Sequence, residues 1–387
     1  MTHVLMISLD SALVSQPEGD SRRRHLAYAE RIGRLTIVVY TAPGAGEAVH
    51  ASPHLTILPT NSRYKLTFAV DAFRLASQCT AADLITTQDP FLTGWVGVWL
   101  RRRLRVPLLV QNHSYFFGNA AWRAEKPLRN ALLSRLAQFV VRRADMYRTV
   151  NRKERDNYVA GGGSPERAVA LPLGTASARF AQPVVQSALD SLRAQLGLLP
   201  AHKIVLWVGY PVAFKRVSLL FRVFQRVVAA EPDARLVLIG DMTRSPQDLR
   251  ALAREASIND CVIMHGPVAH DDLPLYYALG NVYVHTSAYE GVPRVLFEAS
   301  AAGLPLVAMS AVGVDEVVED GVNGFLVPDS DIDGMAERIL LLLRNPAQAR
   351  EMGTAARRIA FERYDAERYA DAWVGVWQRA VALGMRP

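Results

Sequence analysis

Short runs of β-branched and aliphatic residues recur along this chain with helix-length stretches between them, and this alternation limits the fold more tightly than any other feature. The first series is Val4 to Leu9, Leu35 to Tyr40, Leu55 to Leu58, Leu84 to Thr86, Leu108 to Gln111, Met146 to Val150 and Val169 to Leu171. A second series follows: Ile204 to Val208, Arg235 to Ile239, Val262 to His265, Val282 to Val284, Leu306 to Ala308 and Phe325 to Val327. Strands that alternate with helices imply parallel sheets covered on both faces, because parallel neighbours need a crossover long enough to hold a helix. Two such series predict two Rossmann-like, doubly wound α/β domains. A chain of 387 residues that is 50% hydrophobic can give each a full core. Pro and Gly interrupt the pattern between Leu171 and Ser177, which predicts domains at 1–174 and 175–365.

In such folds ligands bind outside the carboxyl ends of the strands. The stretch from Thr286 to Ala299 occupies such a place, between the predicted strand ending near His285 and a helix predicted after Pro293. Pro293 suits the first helical position, where its missing N–H costs nothing, and this leaves the amides of Arg294 and Val295 for an anion at the positive end of the helix dipole. Glu290 is expected in the turn and Glu298 on the opening turns of the helix, both facing one crevice. A carboxylate so placed can accept hydrogen bonds from a vicinal diol such as ribose. The plainer alternative is a surface glutamate and an ordinary acidic residue near a helix start.

The run from Glu290 to Ala308, Glu-Gly-Val-Pro-Arg-Val-Leu-Phe-Glu-Ala-Ser-Ala-Ala-Gly-Leu-Pro-Leu-Val-Ala, closely resembles the signature of the family 4 retaining glycosyltransferases. These have the GT-B fold, two Rossmann-like domains facing across a cleft. The resemblance is strong from Gly209 to Val327 and weaker before Asp83. It implies that the last helical stretch, within 366–387, packs back onto the first domain. It also implies a nucleotide-sugar donor held by Gly209, Lys215, Arg216, Glu290, Gly291, Val292, Arg294, Val295 and Glu298, with Lys215 neutralising the departing diphosphate. Tyr210 stands where the family commonly has arginine, and Arg216 is the candidate to restore that charge. In the first domain the resemblance implies His113 as a catalytic residue beside Glu290. Asp89 either faces the cleft or caps a helix. Gly19 and Arg22 lie in the place of the family's acceptor loop, which here lacks its double glycine; Arg22 to Arg24 either hold a lipid phosphate or form an exposed basic helix start. No carboxylate at a matching position suits attack on the anomeric carbon, unlike the paired acids of retaining glycosidases, so the resemblance implies front-face displacement.

Charge is unevenly distributed. Residues 1–175 carry 23 Lys and Arg against 13 Asp and Glu, and the remainder 21 against 24. The basic half suggests an anionic partner, either a membrane surface, a phosphorylated lipid or a nucleic acid, and together with the resemblance it implies a lipid-linked or other envelope glycan acceptor. Leu128, Leu132, Leu136, Phe139 and Val140, with arginines around them, and Trp95 and Trp99 before Arg101 to Arg103, suit either a helix resting on anionic lipid or a core-packed stripe. Nucleic acid is not expected as a partner, since aromatic residues are not interleaved with the arginines. Cys79 and Cys261 lie in no disulfide or zinc pattern, and the opening residues do not read as a signal peptide. These features predict a cytoplasmic protein, peripheral on the inner face of the membrane if the basic half meets lipid. Asp329, Asp331 and Asp333 imitate a metal-binding Asp-x-Asp but read more economically as helix caps, so neither metal nor cofactor is expected. The rival activities are a nucleotide-sugar epimerase or phosphorylase on the same architecture, or a non-catalytic nucleotide-sugar-binding protein. A nicotinamide dehydrogenase is disfavoured because no Gly-x-Gly-x-x-Gly follows the first strand.

Overall fold

Each run predicted as a strand forms one in the computed structural model, with ends shifted by at most about two residues. The structure describes residues 1–174 and 177–384, without the Ser177 side chain. Of the predicted seam, Thr175 and Ala176 therefore lie outside the described residues, as do the last three positions of the chain. The chain forms two compact units, one containing Met1–Pro172 and the residues from Ala366 onward, the other Leu173–Asp365.

The first unit holds β1 (Thr2–Ser8), β2 (Gly33–Val39), β3 (Val49–His50), β4 (Leu55–Pro59), β5 (Leu84–Thr87), β6 (Leu108–Asn112), β7 (Met146–Thr149) and β8 (Ala168–Ala170). Their order is β3-β4-β2-β1-β5-β6-β7-β8, parallel except for the edge strand β3. β3 has only two residues, too few to leave a periodic signal in sequence. β1, β5 and β6 are buried almost end to end, as strands covered on both faces must be. Right-handed crossovers fix which helix covers which face. The steps β4 to β5, β5 to β6 and β6 to β7 all move in one direction across the sheet, so helices Phe68–Ala76, Leu92–Leu104 and Pro127–Val141 share one face. The step β1 to β2 moves the other way and puts helix Asp20–Ile32 on the opposite face.

Helix Ala366–Gly384 packs on Asp20–Ile32. The Tyr28 ring meets Trp377 edge-on at 6.0 Å, and Arg31 pairs with Asp371 at 2.8 Å. Arg148 on β7 is fully buried and spans to the same helix: its guanidinium donates to the Leu171 carbonyl and, at 3.0 Å, to Tyr369 Oη, and lies 5.2 Å from the Trp373 ring. Burying a charge is costly unless it is hydrogen-bonded; although the buried Nε has no hydrogen-bond partner, the contacts of the other guanidinium nitrogens fix the final helix in place.

The second unit holds β9 (Lys203–Val208), β10 (Ala234–Ile239), β11 (Val262–His265), β12 (Val282–His285), β13 (Leu306–Met309) and β14 (Gly324–Val327), in the order β11-β10-β9-β12-β13-β14 and parallel throughout. The strand order reverses between β9 and β12, and a crevice at their carboxyl ends follows. Helix Val217–Ala230 shows how sequence sets this core. Val217, Leu220, Phe221, Phe224 and Val227 recur at helical spacing and bury one stripe against Trp207, Leu236 and Leu238. Each such fully buried side chain contributes about 1.5–3 kcal/mol.

Candidate functional site

Two glycines at neighbouring strand ends open a cavity in the second unit. Gly209 follows β9 and Gly240 follows β10, with φ of 153° and 146°, values L side chains rarely adopt. A Cβ on Gly240 would stand 1.9 Å from the Gly209 carbonyl oxygen, so the two backbones approach this closely only because Gly240 is bare, while a Cβ on Gly209 would meet the Trp207 ring at 3.3 Å. Beside them is a cavity of about 310 Å³. Val208, Ile239, Pro267, Val268 and Leu273 give it apolar walls; His270, Arg294 and Glu298 supply polar groups, and half-exposed Tyr210 stands at its edge.

Glu298 is the anchored acid of this cavity. It is 4% exposed, accepts a 2.9 Å hydrogen bond from Tyr277 Oη on one oxygen, and has His270 Nε2 3.1 Å from the other. Burial, and then the Glu298 charge, hold the Tyr277 hydroxyl well above its usual pKa, so it remains a donor. Each carboxylate oxygen can accept more than one hydrogen bond, which leaves acceptor capacity toward the cavity. Glu298 lies on helix Arg294–Ala301. Pro293 is not its first residue, as the sequence suggested, but its N-cap, because its ψ of 110° is extended rather than helical. Arg294 and Val295 thereby become the first two helical positions, whose amides have no intrahelical acceptor, and both residues line the cavity.

Glu290 does not share that cavity, contrary to the sequence expectation that both acids face one crevice. It turns toward the end of β12, where Lys215 Nζ donates to its Oε1 and His285 Nε2 lies 3.4 Å from the same oxygen. Burial alone would raise the Glu290 pKa, but the His285 contact and the Lys215 charge outweigh it and bring it down to about 2. Burial pushes the His285 ring down, so it stays neutral against this pair despite the pull of Glu290. Neighbouring backbone pins the turn: Glu290 N donates to Val312 O at 3.0 Å, and a Cβ on Gly313 would stand 2.3 Å from Gly291 O. Val292 buries its side chain at 8% exposure. Lys215, Arg216, Glu290, Gly291 and Val292 thus lie outside the cavity wall, whereas Gly209, Arg294, Val295 and Glu298 form part of it.

Arg216 does not take the part expected of it. It occupies a left-handed conformation, φ 51° and ψ 47°, and its guanidinium donates to Thr286 O at 2.7 Å and Ser287 O at 3.2 Å and pairs with Asp329 at 2.6 Å. A strained backbone held by three side-chain contacts is a splint between the Lys215 loop and the end of β12. The cation standing over Tyr210 is instead Arg244, 4.2 Å above the ring and more than half exposed. Asp331 caps helix Ile332–Arg344 by accepting from Gly334 N. No cluster of three or more His, Cys, Asp or Glu able to hold a metal occurs among the described residues.

In the first unit, His113 directly follows β6. Arg148 Nη1 lies 3.4 Å from its Nδ1, which makes that nitrogen the acceptor, and Nε2 donates to Gln111 Oε1 at 3.1 Å. Burial, reinforced by the Arg148 charge, lowers its pKa well below the usual value, so the ring is neutral. Asp89 acts as a turn former: its Oδ1 accepts from Phe91 N at 2.6 Å, while Thr93 Oγ1 donates to its carbonyl at 3.1 Å. It thus shapes the turn that leads into helix Leu92–Leu104, whose N-cap is Phe91. Gly19 is the N-cap of helix Asp20–Ile32. Arg22 is not an exposed phosphate ligand; it is 8% exposed and donates to the carbonyls of Leu13 and Val14.

Comparison with known proteins places this architecture. A model described as "Glycosyl transferases group 1" matches residues 190–359, and one described as "Glycosyl transferase 4-like domain" matches residues 22–174. Each half of the chain thus matches a glycosyltransferase domain over most of its length. An uncharacterized glycosyltransferase of Haemophilus influenzae is 32% identical over 176 residues, 45% of this chain and 49% of that protein. Spore coat protein SA of Bacillus subtilis is 30% identical over 201 residues, 50% of this chain and 53% of that protein. The matches thus span about half the length of these relatives. The solved structure of Anabaena HepE in complex with UDP and glucose has a TM-score of 0.77 at 20% identity, covering 98% of this chain and 100% of that one. It shares the fold, GT-B.

Sequence reasoning missed Gly240, His270, Tyr277, His285 and Arg244. Gly240 was the detectable one, a glycine directly after an apolar strand. The others are isolated residues whose partners lie elsewhere in the chain, and no spacing announces them.

Proposed function

We propose that this protein moves a sugar, with retention and without a metal ion, from a nucleotide diphosphate-sugar to a hydroxyl of a glycan or lipid-linked acceptor. The observation that carries this is Glu298, fastened by Tyr277 and His270 in a cavity with apolar walls, beside bare glycine backbone and the first turn of a helix. Apolar walls suit a base, the carboxylate a ribose diol, and the helix start a diphosphate. The complex of HepE, similar in fold, with UDP and glucose supports the same assignment.

In this reading Glu290 orients the donor sugar through its hydroxyls, while Lys215 neutralises charge on the diphosphate. The acceptor oxygen bonds to the anomeric carbon on the face that the diphosphate leaves, and a diphosphate oxygen takes the acceptor proton. No covalent enzyme intermediate forms. Positioning and charge neutralisation then supply the rate. His113, neutral, accepts or donates a hydrogen bond to a sugar or acceptor hydroxyl. The protein works on the cytoplasmic side, peripheral to an anionic membrane that presents the acceptor.

A screen of nucleotide-sugars with lipid extract as acceptor, with nucleoside diphosphate release and glycoside formation followed together, tests this reading. One donor should give both products in equal amounts, undiminished by a chelator. Interconverted nucleotide-sugars would indicate an epimerase, inorganic phosphate as acceptor a phosphorylase, and a Glu290→Gln protein with unchanged turnover a site without catalysis.

A further inference from the structure

The first unit exposes apolar side chains on the outer side of one helix layer. On helix Leu92–Leu104, Leu92, Trp95 and Trp99 recur at helical spacing and are all exposed. On Pro127–Val141 the same holds for Leu128, Leu132 and Phe139, with Leu128 90% and Leu132 68% exposed. Leu66 and Val70, at the start of Phe68–Ala76, are also exposed, Leu66 at 94%. These three helices lie side by side on one face of the sheet, and their opposite sides, through Ala72, Val96, Leu100, Val140 and Val141, are in the core. The apolar residues at 128, 132 and 139 are therefore not the core-packed stripe of the alternative sequence reading.

Charge identifies what covers this layer. Residues 63–76, 92–105 and 120–143 together carry 13 Lys and Arg against 2 Asp and Glu, while the rest of the chain carries 31 against 35. The basic excess of the whole protein is thus gathered on and beside the three exposed apolar stripes. Arg102, Arg103, Arg129, Arg135 and Arg142 make no ion pair among the described residues. Arg143 lies 3.8 Å over the Phe139 ring and Arg102 5.4 Å from that of Trp99, so long cationic arms run alongside the apolar groups. Isolated exposed leucines are ordinary, but eight large apolar residues on one layer mark an interaction face. No helix among the described residues is long and apolar enough to cross a membrane.

We infer that the layer formed by helices Phe68–Ala76, Leu92–Leu104 and Pro127–Val141 docks on a bilayer containing anionic lipid. This names the membrane-contacting face of the reading above, on which it rests. The leucines and tryptophans enter the boundary between headgroups and acyl chains, where Trp is favoured, while the arginines stay level with the lipid phosphates.

Sedimentation of the full chain with vesicles tests this, comparing phosphatidylcholine alone with phosphatidylcholine in which roughly a third of the lipid is phosphatidylglycerol. The protein should partition at least about tenfold more strongly onto the anionic vesicles, with a blue shift in tryptophan emission and a decline as salt rises. Two variants, Leu128→Ser with Leu132→Ser and Arg129→Glu with Arg135→Glu, should each lower partitioning by about tenfold or more. Because these side chains are exposed, both variants should keep wild-type circular dichroism. Absence of vesicle binding, or binding that neither variant weakens, overturns the inference. So does a dimer in light scattering that Leu132→Ser dissolves, which would make the face a contact between copies, or capture by nucleic acid in place of vesicles. No donor is present in these measurements, so their failure leaves the transferase reading intact. Conversely, a wild-type protein that binds vesicles but no nucleotide-sugar sinks that reading alone.

Discussion

Replacing Glu290 with glutamine keeps the size of the side chain and removes its charge, so Lys215, 14% exposed, loses its counter-ion. The cost follows from the carboxyl group's own titration. Its pKa falls from 4.5 to about 2 on folding; burial opposes that fall and the contacts with His285 and Lys215 drive it. At about 1.4 kcal/mol per unit, the ionised form stabilises the fold by roughly 3 kcal/mol at neutral pH. Because the folded-state value is depressed, this contribution is complete above 4.5 and is lost as pH falls through about 2. The difference in stability between wild type and Glu290→Gln should therefore be roughly 3 kcal/mol in neutral solution and shrink across that acidic window. Urea unfolding at a series of pH values measures it. Trp207, the sole tryptophan of the second unit, reports that unit separately if fluorinated tryptophan is followed by NMR. A difference below about 0.5 kcal/mol, the scale of an exposed ion pair, or one that does not change with pH, would refute the reasoning. Turnover should fall on the order of a hundredfold or more in the same variant, since it loses both a sugar ligand and the restraint on Lys215.

Arg244→Ala should raise KM for the nucleotide-sugar by about threefold to tenfold with kcat little changed, because its guanidinium stands over Tyr210 at the edge of the cavity. An unchanged KM would mean that it merely rests on the ring. Gly240→Ala should cost about 1–3 kcal/mol and abolish calorimetric donor binding, since the new methyl would meet Gly209 O at 1.9 Å; wild-type stability would show that the strand ends can part. Glu154 is fully buried, and burial raises its pKa to about 8 although Asn112 and Tyr147 hydrogen-bond it. Being raised, it favours the fold below 4.5 and this contribution is lost as pH rises toward 8. Glu154→Gln should flatten the decline of the urea midpoint over that range, and an identical slope in both proteins would count against a neutral buried carboxyl.

The strands were legible because each sheet is covered on both faces, and near-continuous apolar runs leave little else for those segments to form. The site was legible only where backbone makes it. Gly209 and the helix start at Arg294 follow from strand ends and a proline, whereas the direction of a side chain depends on partners that sequence does not bring together. Glu290 and Glu298 are close in the chain, yet Lys215 draws one toward the end of β12 while Tyr277 and His270 hold the other in the cavity. The same blindness affected the arginines. Arg22 and Arg216 read as free cations, but the carbonyls of Leu13, Val14, Thr286 and Ser287 claim them. Arg244, which no motif flags, lies over Tyr210 at the edge of the cavity.

The buried guanidinium of Arg148 also sets an order of events during synthesis. Its hydroxyl partner is Tyr369 and its nearest aromatic companion Trp373, both more than two hundred residues downstream. A nascent chain that has extruded β7 and β8 can offer this charge the His113 ring and the Leu171 carbonyl, but the ribosome must translate the entire second unit before its hydroxyl and aromatic companions emerge. The half of the protein made first is therefore the half finished last, and until then its sheet waits with one flank bare.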